Sequence, residues 1–439
     1  LLLPQALDHI PMRKILVVIS QLLVQLLIYY PRCLGLELEW QCILGNSVVE
    51  FLKKKILELR PDFEKGGKYA QFHTLFDGFA TFLFTPDRVS TGGTHIKAGI
   101  DLKRTMFFVI LAMVPSLLFG IFNVGHQHFL ALGEFVGSPM VGFWDKVLYG
   151  AIKVLPIVVV SYSVGLGIEF FVASKKGHAI NEGFLVSGML IPLVLPPDIP
   201  LWMVGLSTAF AVVFAKEVFG GTGMNVLNVA LAARVFLFFA YPSFMSGDLV
   251  WISEKPDVYS GATALANAAA TGTPFQISAD QSWNYNLQDM VVGLIPGSIG
   301  ETSKIAILLG AAFLVITGIG SGVVMLSVVL GALLMGLIFN GIGLTPFMNM
   351  PFHLHLAMGG LLFGAVFMAT DPVTAAHTGT GKWIYGLLVG MMAVMIRVFN
   401  PAYPEGIMLA ILFGNVMAPL IDYYVVQANI ARRNKRLAA

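Results

Sequence analysis

The chain has 439 residues, of which 56% are hydrophobic and 12% charged, with a mean hydropathy of +0.79. A soluble domain carries about 25% charged residues, so this composition excludes an ordinary soluble enzyme and defines an integral membrane protein. The net charge of +2 calls for no nucleic-acid partner, and the two cysteines, Cys33 and Cys42, are too few for an iron–sulfur cluster held by this chain alone, which takes about four thiolates.

Residues 15–30, ILVVISQLLVQLLIYY, follow Arg13-Lys14 and read as a signal h-region or a short anchor. Residues 1–48 are therefore taken as an extension outside the working fold. A cytoplasmic N-terminal segment follows at 49–103. Within it, EFLKKKILELR at 50–60 sets Phe51, Leu52, Ile56 and Leu59 among Lys53, Lys54, Lys55 and Arg60. Two readings fit: a basic amphipathic helix on the inner leaflet, or a solvated helix against a partner protein.

Apolar runs then fall at 104–124, 154–173, 184–195, 201–215, 227–240, 305–320, 323–339, 356–369, 384–396 and 407–421. A full span takes about 20 residues, and several of these are shorter. Pro192, Pro196-Pro197, Gly220-Gly221, Gly341, Gly343 and Pro372 interrupt them. Short, interrupted hydrophobic segments signal broken helices that line a site, although ordinary kinked helices give the same pattern. Lys and Arg crowd the segment from Lys53 to Arg104 and recur at Arg432, Arg433, Lys435 and Arg436, which places both termini in the cytoplasm. Ten spans put Lys175-Lys176 and Lys216 inside and the 241–303 loop outside.

Arg234-Val-Phe-Leu-Phe-Phe-Ala-Tyr-Pro242 echoes Arg397-Val-Phe-Asn-Pro-Ala-Tyr-Pro404, at the ends of the fifth and ninth spans. The expected fold is thus all-α, with about ten transmembrane helices in two five-helix repeats, 104–240 and 304–427. An outer loop at 241–303 separates the repeats, and a basic tail at 428–439 closes the chain.

In the outer loop lies DVYSGATALANAAATG, 257–272, a small polar stretch in a chain otherwise rich in Leu, Val and Phe. Thr263 precedes strong helix formers and reads as an N-cap. A helix N-terminus favours an anion, so a phosphate on or near Thr263 would be stabilised; a capped surface helix is the plainer alternative.

Asp257-x-x-Ser260-Gly261-Ala262-Thr263 resembles the motif on which a flavin transferase joins FMN to threonine through a phosphoester. KEVFGGTG at 216–223, FLFFAYP at 236–242, SGDLVW at 246–251, IPGSIGE at 295–301, FMATDPV at 367–373 and NPAYPEGIMLA at 400–410 likewise resemble the B subunits of the bacterial sodium-translocating NADH:quinone oxidoreductases. The resemblance runs from about Leu52 to Arg436. The related D subunit of the Rnf complexes shares the flavinylated threonine and the ten-span core but not a basic stretch like LRPDFEKGGKY at 59–69.

The resemblance implies a bacterial inner-membrane component of a redox-driven sodium pump. It would carry covalent FMN on Thr263, pass electrons through a second flavin, riboflavin, to ubiquinone, and work with the A, C, D, E and F subunits of the complex. The NADH site and the iron–sulfur centres would belong to those partners. For the second flavin the candidates are Gly223, Asn225 and Asn228. The two asparagines, three apart, share a face if the segment is helical, and helix–helix hydrogen bonding is the other use of that pair.

Carboxylates inside or beside spans are costly and default to function, which makes Glu169, Asp371 and Asp422 candidates for Na+. A capping role competes at Asp371 and an interface anchor at Asp422. The resemblance adds Asp77 for ion uptake. For quinone it points to a Gly-Gly pair before the span-two acid, and here Leu166 follows Gly165. His353 and His355 read as surface residues, and no metal site is expected. A cofactor-free secondary transporter with the same repeat is the rival function.

Overall fold

The computed structural model describes residues 46–63, 76, 78, 80–81, 84, 92–93, 102–135, 138–176, 183–256, 261–272, 286–400 and 405–438. The anchor-like stretch at 15–30, Asp77, Asp257 and Ser260 lie outside them. Every regular element among the described residues is helical. The chain divides into two compact units, Leu1–Arg104 and Thr105–Ala439.

In the first unit the basic stretch forms α1, Asn46–Phe63. Phe51, Leu57 and Leu59 stay exposed along it, and Lys55 pairs with Glu58 at 2.9 Å.

Two long apolar helices come next, α2 (Leu102–Ala131), which belongs to the second unit from Thr105 onward, and α3 (Phe143–Lys176). On α3, Leu148, Ile152, Leu155 and Val159 form an exposed stripe at helical spacing. Its opposite face buries Lys146, Gly150, Val154, Ile157, Ser161, Gly165 and Glu169. An apolar face turned outward and a mixed face turned inward is the polarity of a helix bathed in lipid.

Then the helices shorten. α4 spans Phe184–Leu193, and the prolines that follow separate it from α5, Leu201–Phe210, with Pro200 at the N-cap of α5. α5 continues as π-helical turns over Ala211–Glu217. Beyond them Gly220, Gly221 and Gly223 take positive φ, a backbone that only glycine adopts cheaply. α6 (Val229–Ala240) resumes under an Asn228 cap. Short α7 (Pro242–Met245), α8 (Ala264–Thr271) and α9 (Leu287–Val292) lie in the segment between the two groups of apolar helices.

The second group repeats part of this order. α10 (Lys304–Ile316) and α11 (Gly322–Ile342) precede short α12 (Leu354–Ala357). α13 (Leu361–Phe363) runs into π-helical turns at Gly364–Met368, and a loop leads to α14 (Gly379–Phe399) under a Thr378 cap. α15, Ile407–Ala438, closes the chain and carries the basic tail. The shared sequence of π-turns, loop and capped helix at 211–240 and 364–399 includes each time a buried arginine, Arg234 or Arg397.

Each of the ten apolar runs contains helix, although turns at 358–360 break the 356–369 run and α10 ends at Ile316 within the 305–320 run. Five helices among the described residues, α2, α3, α11, α14 and α15, are long and apolar enough to cross a membrane by length and composition. Pro and Gly cut the other runs into pieces of 10 to 13 residues or shorter. Of these, α4 packs against protein, with Phe184 and Gly188–Leu193 buried, whereas α10 leaves Leu308, Leu309 and Ile316 exposed. Irregular backbone survives at membrane depth where protein surrounds it.

α11 and α14 pack through small residues. A Cβ on Gly386 would strike the Ser327 side chain, and one on Gly390 the Val328 carbonyl. Close backbone approach replaces the hydrophobic drive that lipid cannot provide. Gly390→Val is expected to cost about 1–3 kcal/mol by overpacking, read as a lower thermal midpoint of the purified complex. Gly341→Ala, where no atom lies within 4 Å of the added Cβ, should stay within about 0.5 kcal/mol.

Candidate functional site

Thr263 is the N-cap of α8, with extended φ −76° and ψ 155°, and its Oγ1 accepts from the Ala266 N–H at 3.2 Å. The cap thus forms as the alanine run requires. Gly261 donates its N–H to the Asp248 carbonyl at 3.2 Å, and a Cβ there would collide with that carbonyl. Ala264, Leu265 and Ala268 anchor α8 in a small core with Met290, Ile295, Phe347, Met350 and Met358.

Thr263 opens onto a cavity of about 100 Å³ whose wall includes Phe238, Trp251, Thr302, Glu301, Lys304 and Glu405. Thr302 is buried, and its hydroxyl has no hydrogen-bond partner among the described residues.

A charged cluster backs this cavity. Arg234 of α6 donates to the Glu301 carboxylate at 3.0 Å and to the Glu405 carboxylate in a shorter contact. Lys304, at the start of α10, donates to the carbonyls of Glu301 and Gly359 at 2.9 and 2.7 Å. Arg397 of α14 donates to the carbonyls of His355, Met358 and Glu405 at 2.6, 3.1 and 3.0 Å. The two echoed arginines therefore converge on Glu405. Burial pushes the Glu301 carboxyl above the usual carboxylate range, with Arg234 opposing the shift and Glu405 adding to it.

The glycine loop departs from the sequence expectation. Asn225 and Asn228 do not share a helix face, because α6 starts only after Asn228. The Asn228 Oδ1 caps that helix by accepting from the Ala230 and Leu231 N–H groups at 3.0 and 3.2 Å. Asn225 folds back in the loop and donates to the Leu227 carbonyl at 3.1 Å. An asparagine oxygen competes well for the free N–H groups of a helix start, which is why this one caps rather than extends the helix. Gly223 is exposed beside them.

The carboxylates are also committed. Asp371 accepts from the Val373 N–H and the Thr374 hydroxyl, both at 3.1 Å, and from the Asn228 amide at 3.4 Å. Asp422 of α15 accepts from the His377 and Thr378 N–H groups at 2.7 and 3.1 Å and from the Thr378 hydroxyl at 2.5 Å. It thereby pins the start of α14 to α15. Glu169 forms a buried ion pair with Lys216 from the π-helical turns after α5, while its second oxygen has no partner among the described residues. Gly165, one turn before Glu169, is the contact point for the Phe184 ring of α4.

His355 is buried, contrary to the surface reading, and lies 5.8 Å from the Phe347 ring. Sequence reasoning also missed Lys216 and Lys304 as buried partners. The available signal was a lysine flanked by apolar runs, which can be lipid-facing, loop-bound or paired.

This architecture defines a polytopic helical membrane protein with broken helices, buried charge pairs and a capped helix beside a polar cavity. The family model described as NQR2, RnfD, RnfE matches residues 89–431, and the chain belongs to that family. Three relatives each bear the name of the B subunit of a Na(+)-translocating NADH-quinone reductase. The protein of Chromohalobacter salexigens is 47% identical over 406 residues, 88% of this chain and 97% of the relative. That of Stutzerimonas stutzeri is 47% identical over 394 residues, 85% and 96% of the two chains. That of Azotobacter vinelandii is 46% identical over 399 residues, 86% and 98%.

Lys216→Met strands the Glu169 charge inside the protein and is expected to cost about 3–5 kcal/mol, read as a fall in thermal midpoint. Adding Glu169→Gln should recover part of that loss, since neither residue then carries an uncompensated charge.

Proposed function

We propose that this chain works as the B subunit of a sodium-translocating NADH–quinone reductase, a redox-driven sodium pump. The observation that carries this reading is the near full-length likeness to relatives of that name. The chain's own redox chemistry then has to come from bound groups, since its two cysteines are too few to hold iron and sulfur.

The residues around Thr263 suit covalent FMN. The hydroxyl stands at a helix start where free N–H groups and the helix dipole favour a phosphate. Gly261 lets the backbone turn tightly against Asp248, Ala262 adds little bulk, and Asp257 and Ser260 complete the recognition sequence for a flavin transferase. Phe238 and Trp251 supply an aromatic wall to the adjoining cavity, and the Thr302 hydroxyl offers a further hydrogen-bonding group. A flavin held there supplies one-electron and two-electron transfer, while the protein supplies position and field.

A second flavin, riboflavin, is assigned to the glycine loop. Gly223 and its neighbours expose backbone polar groups, and Asn225 offers an amide. Asn228 takes part through its tie to Asp371, because its oxygen is engaged in the cap. Ubiquinone is placed toward the cytoplasmic side near Gly165 and Glu169. For Na+, Glu169, Asp371 and Asp422 are the carboxylates of the path, with Asp77 at the entrance. Each of the three described carboxylates already has a protein partner, but the second Glu169 oxygen is unpartnered among the described residues and offers an ion a ligand without displacing Lys216.

The chain crosses the bacterial inner membrane ten times in two five-helix repeats, five crossings being made by short or broken helices. Both termini lie in the cytoplasm, and lipid and the A, C, D, E and F subunits surround the chain. An Rnf-type ferredoxin:NAD electron-transport component is the second reading, since the matching family model spans both groups; NADH-driven, sodium-dependent quinone reduction in membranes separates the two. A cofactor-free secondary transporter with paired repeats is the contrast that a flavin gel addresses.

With a flavin transferase co-expressed, the denatured chain should run as a fluorescent flavin band on a gel. Thr263→Val should abolish the band and Thr271→Val should keep it. A colourless parent chain under those conditions would reject covalent FMN.

A further inference from the structure

We propose that Arg234, Lys304 and Arg397, set against Glu301 and Glu405, form an electropositive wall that raises the electron affinity of the redox group carried on Thr263. This rests on the reading of Thr263 as the attachment point and extends it by naming what sets the potential there.

Three cations are grouped with two carboxylates: Lys304, Glu301 and Glu405 line the cavity, Arg234 and Arg397 bond to the two glutamates without lining it, and all five side chains are at most 15% exposed. Among these five described side chains the formal excess is therefore one positive charge, and it grows if Glu301 holds a proton. Uncompensated charge in a dry protein interior is costly, so its presence calls for a negative partner or a use.

Among the described contacts only Arg234 bonds directly to carboxylates. Lys304 and Arg397 are held by five carbonyl oxygens, from Glu301 and Gly359 for the lysine and from His355, Met358 and Glu405 for the arginine. Carbonyl dipoles hold a cation in place without cancelling its charge at a distance. Fixed charges of this kind, already aimed before an electron arrives, stabilise the negative charge that then develops, and they act strongly where water is excluded.

The placement points the same way. Glu301, Lys304, Glu405 and Thr263 line one cavity. Arg234 and Arg397 come from α6 and α14, the two helices that follow π-turns and a loop, so the repeated part of the fold delivers one cation from each copy. The balance of the step is simple. One electron enters the cavity from the upstream carrier and leaves to the downstream one, and no bond in the protein is made or broken.

The test uses the assembled complex and reads the midpoint potential of the Thr263-linked flavin by spectroelectrochemical titration, with its covalent content measured on the same samples. Lys304→Met removes a positive charge and should lower the potential. Glu405→Gln removes a negative charge and should raise it. Lys304→Arg, which keeps the charge, should hold the parent value. A merely structural role would shift the first two in the same direction or lower flavin content alone. Shifts of the same sign, or unmoved potentials at full flavin content, overturn the wall. Glu405 is at the rim of the cluster, so Glu405→Gln decides the matter by itself if Lys304→Met does not assemble. A parent complex without flavin on Thr263 removes the underlying reading as well, whereas a flavinated parent with unresponsive potentials removes only this one.

Discussion

A bilayer offers no hydrogen bonds to a peptide chain, and that constraint organises this structure. A continuous helix meets it alone, as α2, α3, α11, α14 and α15 do. A broken helix meets it only with help from its neighbours. The irregular stretches after α5 and α13 are accordingly tied down by polar side chains. Asn228 and Thr378 cap the helices that follow, and Asp371 and Asp422 accept the loop's N–H and O–H groups. The same ties bring polar chemistry into the interior, where a sodium-pumping redox protein needs it.

Charge follows the same logic. Lys216 and Glu169 pair across α3 and the π-turns, while Arg234 joins Glu301 and Glu405 behind the cavity at Thr263. Buried pairs of this kind add little net stability compared with apolar packing, and they are retained where position or switching matters. π-turns add one residue to a helical turn and tend to occur at functional positions. Here one of them carries Lys216 itself. The other precedes Asp371 by a few residues.

Thr263 shows how local and tertiary effects combine. An alanine-rich octet can form a short helix, and a threonine before it can cap, but a helix of that length is marginal alone. The side chains of Ala264, Leu265 and Ala268 fix it against Met290, Phe347 and Met358. The hydroxyl is thereby held at the mouth of a cavity whose other walls come from distant parts of the chain.

The sequence by itself determined that this is a helical membrane chain, where its apolar runs lie, that Thr263 caps a helix, and that Arg234 and Arg397 begin stretches that echo each other. Each of these follows from hydropathy, propensity or local spacing, which are properties of neighbouring residues. Only the tertiary structure decided that Asn228 is a cap and not part of a shared helix face, that Glu169 is paired with Lys216, that His355 is buried, and which apolar runs become short helices. Those outcomes depend on which side chain reaches a free donor or charge first, and the competitors are 47 residues apart for Glu169 and Lys216 and 143 for Asn228 and Asp371. Spacing along the chain does not encode contacts of that range; packing does.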